Sequence, residues 1–126
     1  MLNIRMIALL LGFVFILVGL IGFVPNPLVS PTGLFAVNAM HNLVHIFTGM
    51  AFVVGALLLV GKEALVVISI GLVYLAVAIL GFFTSGDMLL GIVHINEADR
   101  WLHLGLAIAI LAVGFIFKPS SVRKVA

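Results

Sequence analysis

Four apolar runs, separated by short polar or proline-containing segments, constrain what this chain can fold into. They cover residues 6–24, 38–60, 64–83 and 98–117. Each has close to the ~20 residues that a helix needs to cross a bilayer. Of all residues, 65% are apolar and 8% are charged, whereas soluble domains have about 25% charged residues. The sequence therefore predicts an all-α, integral membrane four-helix bundle that forms one domain over residues 1–126.

The breaks between the runs predict how the helices connect. Pro25, Pro27 and Pro31 follow the first run, and proline ends a helix because it lacks the backbone N–H. Residues 61–63 form so short a turn that the second and third helices must be antiparallel neighbours. A longer connector, residues 84–97, leads to the fourth helix. We expect two helical hairpins in tandem.

The basic residues predict the orientation of these helices. Only Arg100 falls on one side of the membrane. The other five basic residues fall on the opposite side: Arg5, Lys62, Lys118, Arg123 and Lys124. Short segments rich in Lys and Arg stay in the cytoplasm. Both termini are therefore predicted to be cytoplasmic, and the two longer connectors extracytoplasmic.

The chain carries an internal repeat. Residues 37–45 (VNAMHNLVH) align with residues 95–103 (INEADRWLH) at an offset of 58 positions. Residues 21–23 (IGF) align with residues 80–82 (LGF) at an offset of 59 positions. Each half is a hairpin of the same topology, so an axis along the membrane normal would relate the two halves.

Polar residues cluster near the outer ends of the second and fourth runs, at equivalent positions of the repeat. His41 and His45 share a helix face because residues four apart are neighbours. Ionisable residues inside a membrane usually face the bundle interior, where they pair. The predicted metal ligands are therefore His41, His45, Asp99 and His103, and Asn38 and Asn96 would orient the rings from behind.

Three interpretations of this cluster are open. The first is a transition-metal site, because imidazole and carboxylate bind zinc, iron, copper and manganese, and bundles build such sites from facing helices. The second is haem, with His45 and His103 as the axial ligands. The third is structural, with hydrogen bonds that fix the register of the helices and with Asn38 and Asn96 as helix caps.

Each interpretation leads to a different class of function. The leading one is a non-enzymatic membrane protein of uncharacterised activity whose extracytoplasmic cluster binds a metal ion. The alternatives are a structural or accessory subunit of a membrane complex, and a haem or metal redox protein. A channel or transporter is not predicted, because the inner half of the spans has no Asp, Glu, His, Lys or Arg away from the helix ends.

Composition also limits the partners. The lipid bilayer is the expected surrounding, whereas nucleic acid is not expected because the basic residues are scattered among the helix ends. The chain has no cysteine, which excludes disulfides and thiolate ligands. A homo-oligomer and a larger membrane complex are both compatible with the sequence.

Three segments together carry a resemblance to a known family. Residues 37–45 (VNAMHNLVH), 71–82 (GLVYLAVAILGF) and 96–103 (NEADRWLH) resemble the bacterial domain-of-unknown-function family 4383. The similarity runs from about Arg5 to Phe117. The resemblance implies a small four-helix protein of the bacterial inner (plasma) membrane. It implies no activity and no catalytic residues.

Overall fold

The computed structural model describes residues 2–117 and forms a four-helix bundle with two short strand pairs. The elements are α1 (Ile4–Ile21), β1 (Val29–Ser30), β2 (Phe35–Ala36), α2 (Ala39–Leu58), α3 (Glu63–Phe83), β3 (Met88–Leu89), β4 (Val93–His94) and α4 (Glu97–Ile116). All four helices are long and apolar enough to cross a membrane. The predicted all-α fold with four apolar helices is confirmed.

The limits of α1 differ from the ends of its apolar run. The Asn3 side chain accepts the Met6 N–H at 3.0 Å, so α1 begins at Ile4, before its apolar run. The Asn26 amide donates to the carbonyls of Ile21 (3.2 Å) and Val24 (2.7 Å). The Ile21 carbonyl also accepts the Val24 N–H at 2.9 Å. Helix α1 ends at Ile21, although the apolar run continues to Val24, because in a continued helix the ring of Pro25 would clash with the Ile21 carbonyl.

The helices pack most closely within two hairpins, α1 with α2 and α3 with α4. Where α1 crosses α2, a Cβ on Gly49 would lie 2.5 Å from the Gly12 carbonyl oxygen. Where α3 crosses α4, a Cβ on Gly114 would lie 2.5 Å from the Ile68 side chain. Small residues allow this approach, which membrane helices need because lipid offers no hydrophobic drive for association. The predicted pair of tandem hairpins is confirmed.

Most buried helical positions of the two halves coincide under the repeat, the exceptions being Asn42 and Gly55 of α2, whose equivalents in α4 are only partly buried. In the order of the chain, the equivalent pairs of α1 and α3 are Ile4/Glu63, Ala8/Val67, Gly12/Gly71, Phe15/Tyr74 and Gly19/Ala78. The pairs of α2 and α4 are His41/Asp99, His45/His103, Gly49/Ala107, Phe52/Ile110 and Ala56/Gly114. Both hairpins therefore turn the same helix faces inward, as a duplicated hairpin would.

Two reciprocal hydrogen bonds join the hairpins at the end where α2 and α4 begin. Asn38 Nδ2 donates to the Ile92 carbonyl at 2.9 Å, and Asn96 Nδ2 donates to the Leu34 carbonyl at 2.8 Å. Asn96 and Ile92 are the repeat equivalents of Asn38 and Leu34. The connectors themselves differ in strand pairing, since β1 pairs with β2 in parallel and β3 pairs with β4 antiparallel. This exchange is the pattern of two halves related by a pseudo-two-fold axis parallel to the helices.

Large apolar side chains cover the outside of the bundle. Phe13 and Phe47 are each 63% exposed, Leu72 is 55% exposed and Phe115 is 73% exposed. A soluble monomer rarely exposes a continuous apolar patch larger than a few hundred Å². The outer surface of the helices therefore suits lipid rather than water.

Candidate metal centre

The first turns of α2 and α4 place the histidines. Asn38 is the N-cap of α2, and its side chain accepts the His41 N–H at 3.0 Å. Asn96 caps α4 in the same way by accepting the Asp99 N–H at 3.0 Å. With both starts fixed, His45 and His103 each lie seven positions after their cap, ~10 Å along the helix at 1.5 Å per residue. Both therefore reach the same depth of the bundle.

Three imidazoles meet there, between the two hairpins. His41, His45 and His103 each offer one ring nitrogen, and the three nitrogens lie within 4.8 Å of one another. The ring centroids are 4.6 Å apart for His41 and His45, and 5.3 Å apart for His41 and His103. All three side chains are buried. The first hairpin contributes two of the rings and the second contributes one.

The tautomer of His41 follows from its hydrogen bond. Its Nδ1 lies 2.6 Å from the carbonyl oxygen of His94 in β4. A carbonyl oxygen only accepts, so Nδ1 carries the proton and Nε2 keeps a lone pair. Nε2 is buried and has no hydrogen-bond partner among the described residues. A ring held at Nδ1 with a bare Nε2 is the usual state of a histidine that binds a metal.

His45 is the least satisfied of the three rings. Its side chain is 5% exposed, and within residues 2–117 neither Nδ1 nor Nε2 has a hydrogen-bond partner. Buried polar atoms are nearly always hydrogen-bonded in proteins, and an exception calls for an explanation. An imidazole that serves only to bind neighbouring helices together would have such a bond. His45 therefore points to a ligand.

Asp99 lies outside the group of three imidazoles. Its carboxylate accepts the Asn96 N–H at 3.0 Å, while the Asn96 side chain accepts the Asp99 N–H, which completes a capping box. Both bonds satisfy N–H groups that the first turn of a helix leaves without partners. Asn38 and Asn96 likewise bond the backbone and not the rings. Of the predicted site residues, the structure brings together His41, His45 and His103.

Two aromatic residues flank the cluster at equivalent positions of the repeat. Phe15 packs edge-on against His45 with 5.8 Å between ring centroids, and Tyr74 packs against His103 with 6.0 Å. The Tyr74 hydroxyl donates to Thr48 Oγ1 at 3.2 Å, and Thr48 donates to the Val44 carbonyl at 2.8 Å. Sequence reasoning overlooked Phe15 and Thr48, although the 59-residue offset that pairs Phe15 with Tyr74 was available.

The rings of the haem alternative, His45 and His103, have centroids 6.3 Å apart. The His41 ring lies within 4.6 Å and 5.3 Å of these two rings, beside the space between them. A porphyrin plane between the two rings would therefore require His41 to move.

Two other polar residues near this end of the bundle have structural contacts. Arg100 donates from Nε to the Gly81 carbonyl at 2.9 Å, near the end of α3, where a cation interacts favourably with the helix dipole. It also lies 3.6 Å from Asp87 and 3.5 Å from Glu97. His94 belongs to β4, and its backbone carbonyl accepts the bond from His41.

A comparison of the sequence with protein families finds a match for this chain. The family described as Domain of unknown function (DUF4383) matches residues 5–116, nearly the whole described bundle. The chain belongs to this family. No curated protein and no solved structure matches the chain. Membership in the family confirms the resemblance seen in the sequence. The family has no assigned activity, so the function must be inferred from the site.

Proposed function

We propose that the protein is a multi-pass membrane protein that binds a transition-metal ion through His41, His45 and His103. The observation that carries this proposal is the approach of three buried ring nitrogens, from both hairpins, to within 4.8 Å of one another. Helical bundles hold metal ions with side chains from facing helices in this way.

The donor set suits zinc or a similar borderline metal. Zinc accepts three protein nitrogens at about 2.0–2.1 Å in tetrahedral sites that keep a fourth position open. Imidazole also suits copper, iron and nickel. The rings have bare nitrogens to offer, since His41 Nε2 and both nitrogens of His45 lack partners among the described residues. A modest inward movement of the rings would complete the coordination.

The placement of charge supports an extracytoplasmic location for the site in a bacterial inner membrane, with cytoplasmic termini. Arg5 and Lys62 lie at the opposite end of the bundle from the histidines. At the histidine end, Arg100 is accompanied by Asp87 and Glu97. Lys118, Arg123 and Lys124, which complete the predicted charge bias, lie outside the described residues. The bias follows the positive-inside rule.

The rival proposal is a structural or accessory subunit, in which the cluster only joins helices. Asn38, Asn96 and Asp99 support that view, because they bond the backbone at the starts of α2 and α4. The three imidazoles support it less, because His45 makes no hydrogen bond within residues 2–117. The asparagines therefore fit the structural role, and the histidines fit the metal-binding role.

Elemental analysis of the purified full-length protein tests the proposal. We expect about one equivalent of a transition metal, as one three-imidazole site would bind, and its loss in a His45→Ala/His103→Ala variant. The matched control is His94→Ala, which removes an imidazole but leaves the backbone carbonyl that holds His41. A folded wild-type protein that binds no metal after incubation with zinc, or a double variant that retains its metal, would overturn the proposal. A Soret band would point to haem instead.

A further inference from the structure

The three imidazoles line a single cavity of about 290 Å³. Its walls include Thr48 of α2 and Tyr74 of α3, and the connector that contains β3 and β4 covers its outer end. Ligand sites are usually cavities of about 300–1,000 Å³ lined mainly by apolar groups, with a few polar groups that fix orientation. The cavity has this character at the lower limit of size.

A groove between α2 and α3 adjoins the cavity. It measures about 410 Å³ and shares four lining residues with the cavity: Val44, Thr48, Val73 and Tyr74. We call this shared lining the α2–α3 seam. Phe47, which lines the groove, is 63% exposed on the outside of the bundle. The seam therefore connects the imidazoles sideways to the region that lipid tails would occupy.

The duplication supplies an internal comparison for this seam. Its repeat equivalent lies between α1 and α4, where a pocket of about 150 Å³ is lined by Val14, Phe15, Val18, His45, Leu102 and Leu106. Phe15 and Leu106 stand at the positions of Tyr74 and Thr48. One of two originally equivalent seams thus carries hydroxyl groups and a larger space, while the other is smaller and has no hydroxyl group in its lining.

The lining defines the chemistry of a ligand. Among the described residues, no Asp, Glu, Lys or Arg lines the cavity or the groove. A phosphate or carboxylate head would therefore find no counter-charge, and burying an unpaired charge is costly. The hydrogen-bonding groups of the cavity are on Thr48, Tyr74 and the imidazoles. In the groove, Ser69 adds a hydroxyl that donates to the Leu65 carbonyl of its own helix at 2.7 Å. Elsewhere the lining is almost entirely apolar.

We propose that the α2–α3 seam binds a neutral amphiphile dissolved in the membrane, with an oxygen-bearing head such as a hydroxyl or carbonyl. The head lies in the cavity, where His45 has two buried nitrogens without partners among residues 2–117. The apolar tail lies in the groove and passes Val73 toward the lipid. Binding of the head does not require a metal, because the imidazoles and hydroxyls can bond the head directly, although the head and a metal would use the same His45 nitrogens.

Photolabelling of the full-length protein in phosphatidylcholine vesicles tests the proposal. The probe is hexadecanol with a diazirine close to the hydroxyl, and mass spectrometry locates the labelled peptides. We expect labels on the α2–α3 seam and their loss in Val73→Trp, whose indole fills the groove. The matched control is Val14→Trp at the equivalent position between α1 and α4, which should leave labelling unchanged.

Two further labelling experiments test the proposal even if Val73→Trp fails to fold. Thr48→Val preserves the shape of the side chain and removes the hydroxyl, so it should reduce labelling. Palmitate with a diazirine tests an anionic head and should label weakly. Equal labelling of both seams, equal labelling by palmitate, or full labelling of a folded Thr48→Val variant would overturn the proposal. All labelling experiments are run without added metal, and zinc binding is measured separately. A protein that is labelled but binds no zinc would refute only the metal proposal.

Discussion

At the scale of single residues, the two halves of the interior are alike in position and different in chemistry. His45 and His103 are the same residue at equivalent places, whereas Asp99 replaces His41 and Tyr74 replaces Phe15. The shorter Asp99 carboxylate bonds the start of its own helix, while the His41 ring reaches β4 of the other hairpin. These differences leave three imidazoles, rather than a symmetric four-ligand set, in the centre.

The capping role of Asp99 gives a prediction. Asp99→Ala should lower the free energy of unfolding by about 1 kcal/mol, since it removes the carboxylate half of a capping box, and should leave the bound metal unchanged. Denaturation in mixed detergent micelles and elemental analysis measure the two effects. His103→Ala is the comparison and should lose the metal. Loss of metal from a folded Asp99→Ala protein would show that Asp99 is a metal ligand after all.

At the scale of the helices, close approach depends on particular glycines and not on glycine in general. A Cβ on Gly49 would lie 2.5 Å from the Gly12 carbonyl and 2.8 Å from the Ile16 backbone nitrogen. A Cβ on Gly105 would have nothing within 4 Å. Both residues lie in predicted spans, so the sequence alone does not distinguish them.

This contrast predicts opposite outcomes for the same substitution. Gly49→Ala should destabilise the α1–α2 hairpin by about 1–3 kcal/mol, because rigid backbone atoms must move apart. Gly105→Ala should be neutral or slightly stabilising, because alanine favours helix over glycine by up to about 1 kcal/mol. Thermal denaturation of the two variants in the same detergent compares them directly. Similar stability of both variants would contradict the close packing of α1 on α2.

At the scale of the whole molecule, exchanged hydrogen bonds join two hairpins that otherwise pack mainly within themselves. Asn38 and Asn96 each use the amide oxygen to cap a helix and the amide nitrogen to bond the opposite connector. Each asparagine thus caps its own helix and also bonds that helix to the other hairpin. The histidine cluster depends on that assembly because it draws rings from both hairpins.

The two uses of the asparagine amide can be separated. Asn38→Asp keeps the capping oxygen and loses the Nδ2 donor to Ile92, and the bond lost is worth ~0.6 kcal/mol on average in a membrane protein. Combining it with Asn96→Asp should lower stability further and weaken zinc binding, while helix content by circular dichroism stays constant. A double variant with wild-type stability and zinc affinity would show that these bonds do not hold the halves together.

The proposed orientation gives a prediction that uses the absence of cysteine from the chain. Ser85→Cys, in the connector before β3, should react with a membrane-impermeant maleimide added to intact cells. Lys62→Cys, in the turn between α2 and α3, should react only after the membrane is permeabilised. Both side chains are exposed in the structure. The reverse pattern of labelling would invert the topology and place the histidines on the cytoplasmic side.

Much of the architecture could be predicted because it depends on local properties of the sequence. The length and polarity of each run indicated a membrane helix, and the four helices agree with that. The internal repeat indicated two tandem hairpins, which the packing of α1 with α2 and of α3 with α4 confirms, while α2 and α3, joined by the short turn, pack less closely. Helix limits were less predictable from hydropathy alone, since α1 ends at Ile21, four residues before Pro25, although the apolar run continues to Val24.

The sequence by itself determined the four apolar helices, the repeat and the equal depth of His45 and His103, because composition and spacing along a helix fix all three. Only the tertiary structure decided that Asp99 caps a helix while three imidazoles converge. It also decided that the α2–α3 seam has the larger space and two hydroxyl groups, while its equivalent has Phe15 and Leu106 at the positions of Tyr74 and Thr48. These outcomes depend on which side chains from distant helices compete for the same space and the same hydrogen bonds, and spacing within one helix does not contain that information.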